Sequence, residues 1–456
     1  MAETNIIDVA EVIERQTLGR FVIRLIALSC AITFFDGFDM QVIAYAATYL
    51  TDDFGLSRVE MGNLFAAGTF GTMIGGFLFG YWGDRFGRRP TIIAASFAFG
   101  ALTFAFALSQ NYTQLLVLRF LNGIAIGGML PLCWALNIEY VPRRFRATVV
   151  TTVMLGYTLG TSFGAPITLW LAPRYGWQAI FVFGGVATVV IAAMLWAGLP
   201  ESARFLANKK RRPDLIARYL NGVEPALKAT PADRFVLSDE VAAGAAKFRI
   251  GRLFDGHLRW ITPLLWTAYI ASSLAIYFKT SWSPLVLEML GYTRAQAAGY
   301  SSVSSIGSAV GGLLLMRFTD RRGPIAIAGM ALLSAPLLLW VGLADLGPVA
   351  FLGINFVVTV LLGGAHYGMH SIAGMFYQSA FRANGAGWAT SIAKVGSIAG
   401  PLVGGWILAT NFPVRHIYAL LGVCPLLLGA CLFAMTRVRR RTAADEAAGA
   451  TELAAG

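Results

Sequence analysis

Twelve apolar stretches, each long enough to cross a hydrocarbon layer of about 30 Å, recur along the 456 residues of this chain. They run over approximately 22–48, 60–82, 91–109, 113–137, 147–171, 177–198, 260–287, 297–317, 324–343, 349–376, 384–409 and 414–436. These runs are about twice as long as a barrel strand and do not alternate in polarity, so a membrane β-barrel is excluded. Only 13% of residues are charged, against about 25% in a soluble domain, which would leave a soluble fold short of polar surface. Disordered, coiled-coil and disulfide-built chains need polar bias, heptads or paired cysteines, none of which is present. The expected fold class is an all-α membrane protein with twelve transmembrane helices, whose surroundings are the lipid bilayer.

Lysine and arginine exceed aspartate and glutamate by 36 to 24, a net charge of +12. In a soluble chain that excess would suggest nucleic acid, but its placement argues for topology instead. One set of connectors carries Arg85, Arg88 and Arg89, then Arg143, Arg144 and Arg146, then Arg317, Arg321 and Arg322, then Arg382, with Arg437, Arg439, Arg440 and Arg441 at the tail. The other set carries only Arg58, Arg174, Arg294 and Arg415. The positive-inside bias then places both termini and the segment 199–259 in the cytoplasm, with no nucleic-acid partner required. Glu3, Asp8, Glu11 and Glu14 make the N-terminal segment acidic, unlike a cleavable signal, so the first span is expected to remain as an anchor.

Cys30, Cys133, Cys424 and Cys431 all fall inside expected spans without ligand spacing, which points to neither metal nor disulfide. No Walker loop, GxSxG elbow, HExxH or dinucleotide fingerprint occurs, so no cofactor and no enzyme chemistry is expected.

The halves repeat at an offset of 236 residues, which pairs Gly71 with Gly307, Gly75 with Gly311 and Gly76 with Gly312. The same register pairs Asp84-Arg85-x-Gly87 with Asp320-Arg321-x-Gly323, Gly127-Gly128 with Gly363-Gly364, and Phe145-Arg146-Ala147 with Phe381-Arg382-Ala383. Gly160 and Gly164 fall on Gly396 and Gly400. The expected organisation is two pseudo-symmetric six-helix bundles: residues 1–198, a linker at 199–259 with short helices, and 260–456 with a cytoplasmic tail.

Gly83-Asp84-Arg85-Phe86-Gly87-Arg88-Arg89 resembles the signature loop of the major facilitator superfamily, with Asp320-Arg321-Arg322-Gly323 as a weaker copy. Pro200-Glu201-Ser202-Ala203-Arg204-Phe205-Leu206 is similar to a segment of the sugar porters and their relatives. Asp36-Gly37-Phe38-Asp39 resembles the DGxD motif of the aromatic acid:proton symporters, and Ala380–Trp388 with Gly396-Ser397-Ile398-Ala399-Gly400-Pro401 is similar to that family's spans ten and eleven. The resemblance covers essentially the whole chain and implies a transporter that works by alternating access.

Residues present in both halves read as architecture, and those present in one half read as candidates for function. Asp36 falls on Ser272, Asp39 on Ala275, Arg119 on Asn355, Glu139 on Met375 and Lys394 on Thr158, so none of these charges is repeated. A charge at mid-span costs about 2.5–3.5 kcal/mol on insertion scales, which marks it as functional. Asp36 and Asp39, three residues apart, share one helix face. Two close carboxylates suit proton coupling or substrate binding; the alternative is a hydrogen-bonding role at a break beside Gly37. In the superfamily plan Arg119 lies where it answers their protonation, meets an anionic substrate, or forms a permanent salt bridge.

Lys394 sits about 15 Å into span eleven, where a carboxylate substrate is the simplest partner. The resembled family typically has arginine there; lysine is a point charge, which bears on carboxylate geometry and substrate choice. His366 and His370, one turn apart on span ten, are candidates for substrate contact, with packing as the alternative. Phe38 and Tyr269 are candidates for stacking on an aromatic ring. The remaining charges at the arginine-rich ends, Asp84, Arg85, Arg88, Glu139, Arg143, Arg146, Asp320, Arg321 and Arg382, are expected to form the gate.

The sequence thus reads as a proton-coupled importer of an aromatic or related organic carboxylate in the bacterial inner membrane, working as a monomer. The same fold also runs as an antiporter exporting hydrophobic drugs or acids. A sugar porter or a transporter-like sensor fits less well, since a polyol needs no midplane lysine and the linker is short for a signalling domain.

Overall fold

The computed structural model describes residues 5–238, 249–377, 382–410 and 412–455, the side chains of 316, 317, 320, 321, 374, 383 and 440–455 excepted. The chain opens with β1 (Ile6–Asp8) and α1 (Val9–Arg15), then enters long helices α2 (Arg20–Phe54), α3 (Arg58–Phe86) and α4 (Arg88–Phe106). The fourth expected span is two helices, α5 (Tyr112–Gly127) and α6 (Met129–Glu139), followed by α7 (Arg146–Tyr175) and α8 (Gln178–Gly198). The linker holds α9 (Ala203–Asn208), α10 (Pro213–Val223) and β2 (Arg234–Val236). The second half consists of α11 (Leu258–Met289), α12 (Arg294–Arg322), α13 (Pro324–Leu343), α14 (Pro348–Phe376), α15 (Arg382–Ala409), α16 (His416–Leu421) and α17 (Val423–Ala455).

Helices occupy all twelve expected spans, and among the described residues ten are long and apolar enough to cross a membrane. The fifth and eighth spans, α7 and α12, are long at 30 and 29 residues but are diluted by Thr, Ser and Gly. Spans four and twelve break for a local covalent reason. Pro131 and Pro425 offer no N–H, and their rings clash with the carbonyls of Gly127 and Leu421, where α5 and α16 end.

The chain packs as two compact units, Met1–Val42 with Phe70–Ala246, and Ile43–Thr69 with Lys247–Gly456. Within each, the sequence repeat becomes a repeat of contacts. A Cβ on Gly160 of α7 would strike the carbonyl of Phe34 on α2, and one on Gly396 of α15 would strike that of Ile270 on α11. Gly75 meets the Ile124 carbonyl as Gly311 meets that of Val360, and Gly127 meets Thr72 as Gly363 meets Ser308. Each partner pair is separated by the same 236 residues as the glycines. In lipid, where apolar side chains gain nothing by leaving the solvent, such backbone approach is what holds helices together. Gly87 and Gly323, also a repeat pair, have φ of 111° and 60°, values that favour a residue without Cβ.

The first unit carries a cap at its arginine-rich end. Val9, Val12 and Ile13 of α1 join Leu206, Ile216, Leu220 and Val223 of the linker in one apolar cluster. Ile6–Asp8 pairs in parallel with Arg234–Val236. This strand pair was not expected from the sequence: three residues are too few to show a period of two.

Candidate functional site

The first unit encloses a charged cluster between α2, α4 and α5. Gly37 and Gly160 let α2 and α7 touch through backbone, which leaves Asp39 facing α4 and α5. An Asp39 oxygen lies 2.5 Å from Arg119 Nη1, and Arg119 Nη2 donates to the Asp39 backbone carbonyl at 3.3 Å. Asn122 Nδ2 donates to both Asp39 carboxylate oxygens at 3.0 and 3.1 Å, and Thr103 Oγ1 donates to one at 3.2 Å. All four residues are buried, as is Asp36 one turn earlier on α2. Arg119 Nε lacks a hydrogen bond. The carboxylate is therefore fully served while the guanidinium retains an unused donor. Asn122 and Thr103 were missed from sequence; Asn122, three residues after Arg119 on the same face, carried a readable signal.

In the second unit, α11, α14 and α15 bring together His366, His370, Ser272 and Lys394. His366 Nδ1 lies 2.9 Å from Ser272 Oγ, and the two imidazole rings are 5.7 Å apart. Lys394, half-buried, stands on α15, which packs against both α11 and α14. Ser272 is the repeat counterpart of Asp36, so the position that carries an acid in the first half serves a histidine in the second.

Two expected ring contacts take another form. Phe38 is 1% exposed and packs against Phe35 and Phe183. Tyr269 is 2% exposed and its hydroxyl donates to the Met369 carbonyl at 2.5 Å. Both rings are enclosed within their own units.

At the arginine-rich end of the first unit, Arg88 rather than Arg85 is the hub. Its guanidinium pairs with Asp84 at 3.1 Å and Glu139 at 3.3 Å and donates to the Gly83 carbonyl at 3.1 Å. Glu201 Oε1 accepts the backbone N–H groups of Arg88, Arg89 and Ser202 at 2.9, 3.2 and 2.8 Å, tying the start of α4 to the linker. Burial pushes the Glu201 carboxyl above its usual range, and those N–H groups pull it part of the way back. The Tyr140 hydroxyl donates to the Glu201 carbonyl. Arg85 instead donates to the Tyr81 hydroxyl at 2.7 Å, and Arg146 Nε to the Val141 carbonyl at 3.3 Å. The Arg143 N–H is held by Glu14 at 3.2 Å. In the second unit Arg382 Nε donates to the Tyr377 carbonyl at 3.4 Å. The side chains of Asp320 and Arg321, and residues 378–381 of the motif after span ten, lie outside the described residues.

Sequence reasoning also passed over charges of the second unit. Lys279 lies within span seven and falls on Ile43 in the repeat, so the filter that found Lys394 applied to it equally. Glu288 accepts from Thr48 at 3.0 Å and pairs with Arg294 at 3.4 Å, and Arg294 pairs with Asp52 at 2.7 Å. These residues stand at span ends, where charge is ordinary and gives no sequence signal.

A family model described as Major Facilitator Superfamily matches residues 29–381. A gallate transporter of Pseudomonas putida is 32% identical over 422 residues, covering 91% of this chain and 92% of that protein. The 4-hydroxybenzoate transporter PcaK of the same organism is 31% identical, covering 90% and 92%. The 3-(3-hydroxy-phenyl)propionate transporter of Escherichia coli K12 is 29% identical, covering 91% and 94%. Among solved structures, the inward open conformation of the xylose transporter XylE from E. coli matches with a TM-score of 0.69 at 18% identity, over 90% of this chain and 96% of that one.

Proposed function

From the premise that this chain belongs to the Major Facilitator Superfamily, we propose that it is a proton-coupled carrier that imports an aromatic carboxylate by alternating access. It is a multi-pass membrane transporter rather than an enzyme. In this reading it acts as a monomer in a bacterial inner membrane, with six-helix halves at 1–198 and 260–456, the linker 199–259 and both termini in the cytoplasm.

The observation that carries the reading is the enclosed pair of Asp39 and Arg119. A carboxylate holding a guanidinium, an amide and a hydroxyl in a buried site is neutral as a group; protonating it discharges the acid and leaves Arg119 without its counter-charge. Arg119 must then find another anion or the cluster must rearrange. The first response ties the proton to anion binding and the second ties it to a change of conformation, and in this reading Asp36, on the same face, shares the proton. The anion itself is assigned to Lys394 with His366 and His370: the ammonium supplies charge, and the imidazoles orient a carboxylate or ring hydroxyl. Relatives named for gallate, 4-hydroxybenzoate and hydroxyphenylpropionate support a phenolic acid as substrate. The Arg88–Asp84–Glu139 hub, with Arg85, Arg143, Arg146, Asp320, Arg321 and Arg382, is assigned to the gate.

The test is uptake of labelled 4-hydroxybenzoate and gallate by cells expressing the protein, with and without a protonophore. Accumulation that collapses with the gradient is expected; accumulation indifferent to it removes proton coupling. Asp39→Asn should abolish accumulation while the protein still reaches the membrane.

A further inference from the structure

Lys279 stands in α11, ten residues before its end at Met289, about 15 Å along the axis. It is 6% exposed. Its ammonium donates to Asn355 Oδ1 on α14 at 2.7 Å and lies 5.7 and 5.8 Å from the ring centroids of Tyr300 on α12 and Tyr418 on α16. Among the described residues no carboxylate is within ion-pair distance of it.

A polar donor beside it is unfilled. Asn355 is fully buried, and its Nδ2 has no hydrogen bond. The hydroxyl of Tyr418, 5% exposed, lies beside Asn355 and Ser283. Buried polar groups are almost always paired, so an empty amide donor beside a buried ammonium points to a missing partner. A buried lysine without a counter-charge either gives up its proton or takes an anion. An anion also fills the empty amide donor.

The repeat indicates the same vacancy of charge. Asn355 is the counterpart of Arg119, and Lys279 falls one turn beyond Ala275, the counterpart of Asp39. In the first unit the opening and fourth spans supply an acid and a base; in the second they supply a base and an amide. Among the described residues no acid takes the negative place beside Lys279.

We propose that Lys279, Asn355 and Tyr418 form a site inside the second unit for a small monovalent anion, a halide or the carboxylate head of an organic acid. Lys279 supplies the counter-charge, while Asn355 Nδ2 and the Tyr418 hydroxyl donate hydrogen bonds. The site is independent of Lys394 and of proton coupling.

The test uses the purified full-length protein in detergent, with ionic strength held constant by sodium HEPES, whose bulky sulfonate is not a small anion. Its melting temperature is followed while HEPES is replaced by chloride, by formate or, in a third arm, while 4-hydroxybenzoate is added. A saturable rise with chloride or formate, lost in Lys279→Met, supports the site and identifies a free small anion as occupant. A rise with 4-hydroxybenzoate alone, also lost in Lys279→Met, identifies the organic carboxylate. No saturable rise in the wild type, or the same rise in Lys279→Met, overturns the proposal. Should Lys279→Met fail to fold, Tyr418→Phe removes one hydroxyl from the same packed ring. The anion's apparent affinity should then fall about 10-fold, as for loss of a hydrogen bond to a charged group, and an unchanged affinity overturns the proposal.

Discussion

Asp39 on α2 and Arg119 on α5 form a buried ion pair in the first unit, with Asn122 bridging both oxygens of the same carboxylate. With side-chain exposures of 1% and 4%, neither charge has solvent to fall back on. Removing one partner should destabilise the protein by about 3–5 kcal/mol, because it strands the other. Arg119→Leu is therefore expected to lower the melting temperature of the purified protein sharply. The double change Asp39→Leu with Arg119→Leu should recover most of the loss without recovering uptake. A double variant as unstable as the single one would show that the pair's charges are not the source of the cost.

Glu201 provides the pH test. Its carboxyl is raised above the ordinary value of 4.5 by burial, so the unfolded chain releases this proton before the folded one does. Stability from this group is present below 4.5 and is lost as pH rises through the raised folded value. Melting temperature measured against pH should fall across that window in the wild type, and Glu201→Gln should flatten that part of the curve. Glu201→Ala should be worse at every pH, at about 1–3 kcal/mol for each buried N–H left without an acceptor. A parallel wild-type and Glu201→Gln profile would dismiss the linkage.

The repeated glycines make a matched prediction. Gly160→Ala and Gly396→Ala each press a methyl against a facing backbone carbonyl, and both should destabilise, by about 1–3 kcal/mol as for overpacking. Gly387 on α15 meets no atom within 4 Å. There, Gly387→Ala should be neutral or stabilise by up to about 1 kcal/mol through helix propensity. Thermal melts of the three variants separate contact from propensity.

Lys394 tests the anion assignment. Lys394→Gln should reduce uptake of 4-hydroxybenzoate at least about 10-fold, the loss expected for one charge-assisted hydrogen bond. Lys394→Arg should keep transport but alter the ratio of 4-hydroxybenzoate to hydroxyphenylpropionate uptake, since a planar fork meets a carboxylate differently from a point charge. Unaltered uptake in both variants would move the anion elsewhere.

Much of this molecule is written along the chain because a membrane imposes local rules. Every backbone group in lipid must be bonded within its own segment, so length and apolarity alone locate the helices. Close approach of helices requires glycine, so the 236-residue register of Gly75, Gly160, Gly311 and Gly396 announces contacts that the fold then repeats. The penalty on buried charge likewise singled out Asp39, Arg119 and Lys394. Tertiary structure decided which of these charges meet. That Arg119 takes Asp39, that Arg88 rather than Arg85 is the hub, that Glu201 collects three N–H groups, and that Phe38 and Tyr269 are walled in all depend on helix rotation and on neighbours far apart in sequence. Lys279 marks the boundary between the two kinds of knowledge. Its cost in lipid was legible from its place in a span, but the amide and the two tyrosines around it come from three other helices, α14, α12 and α16, that only folding brings together.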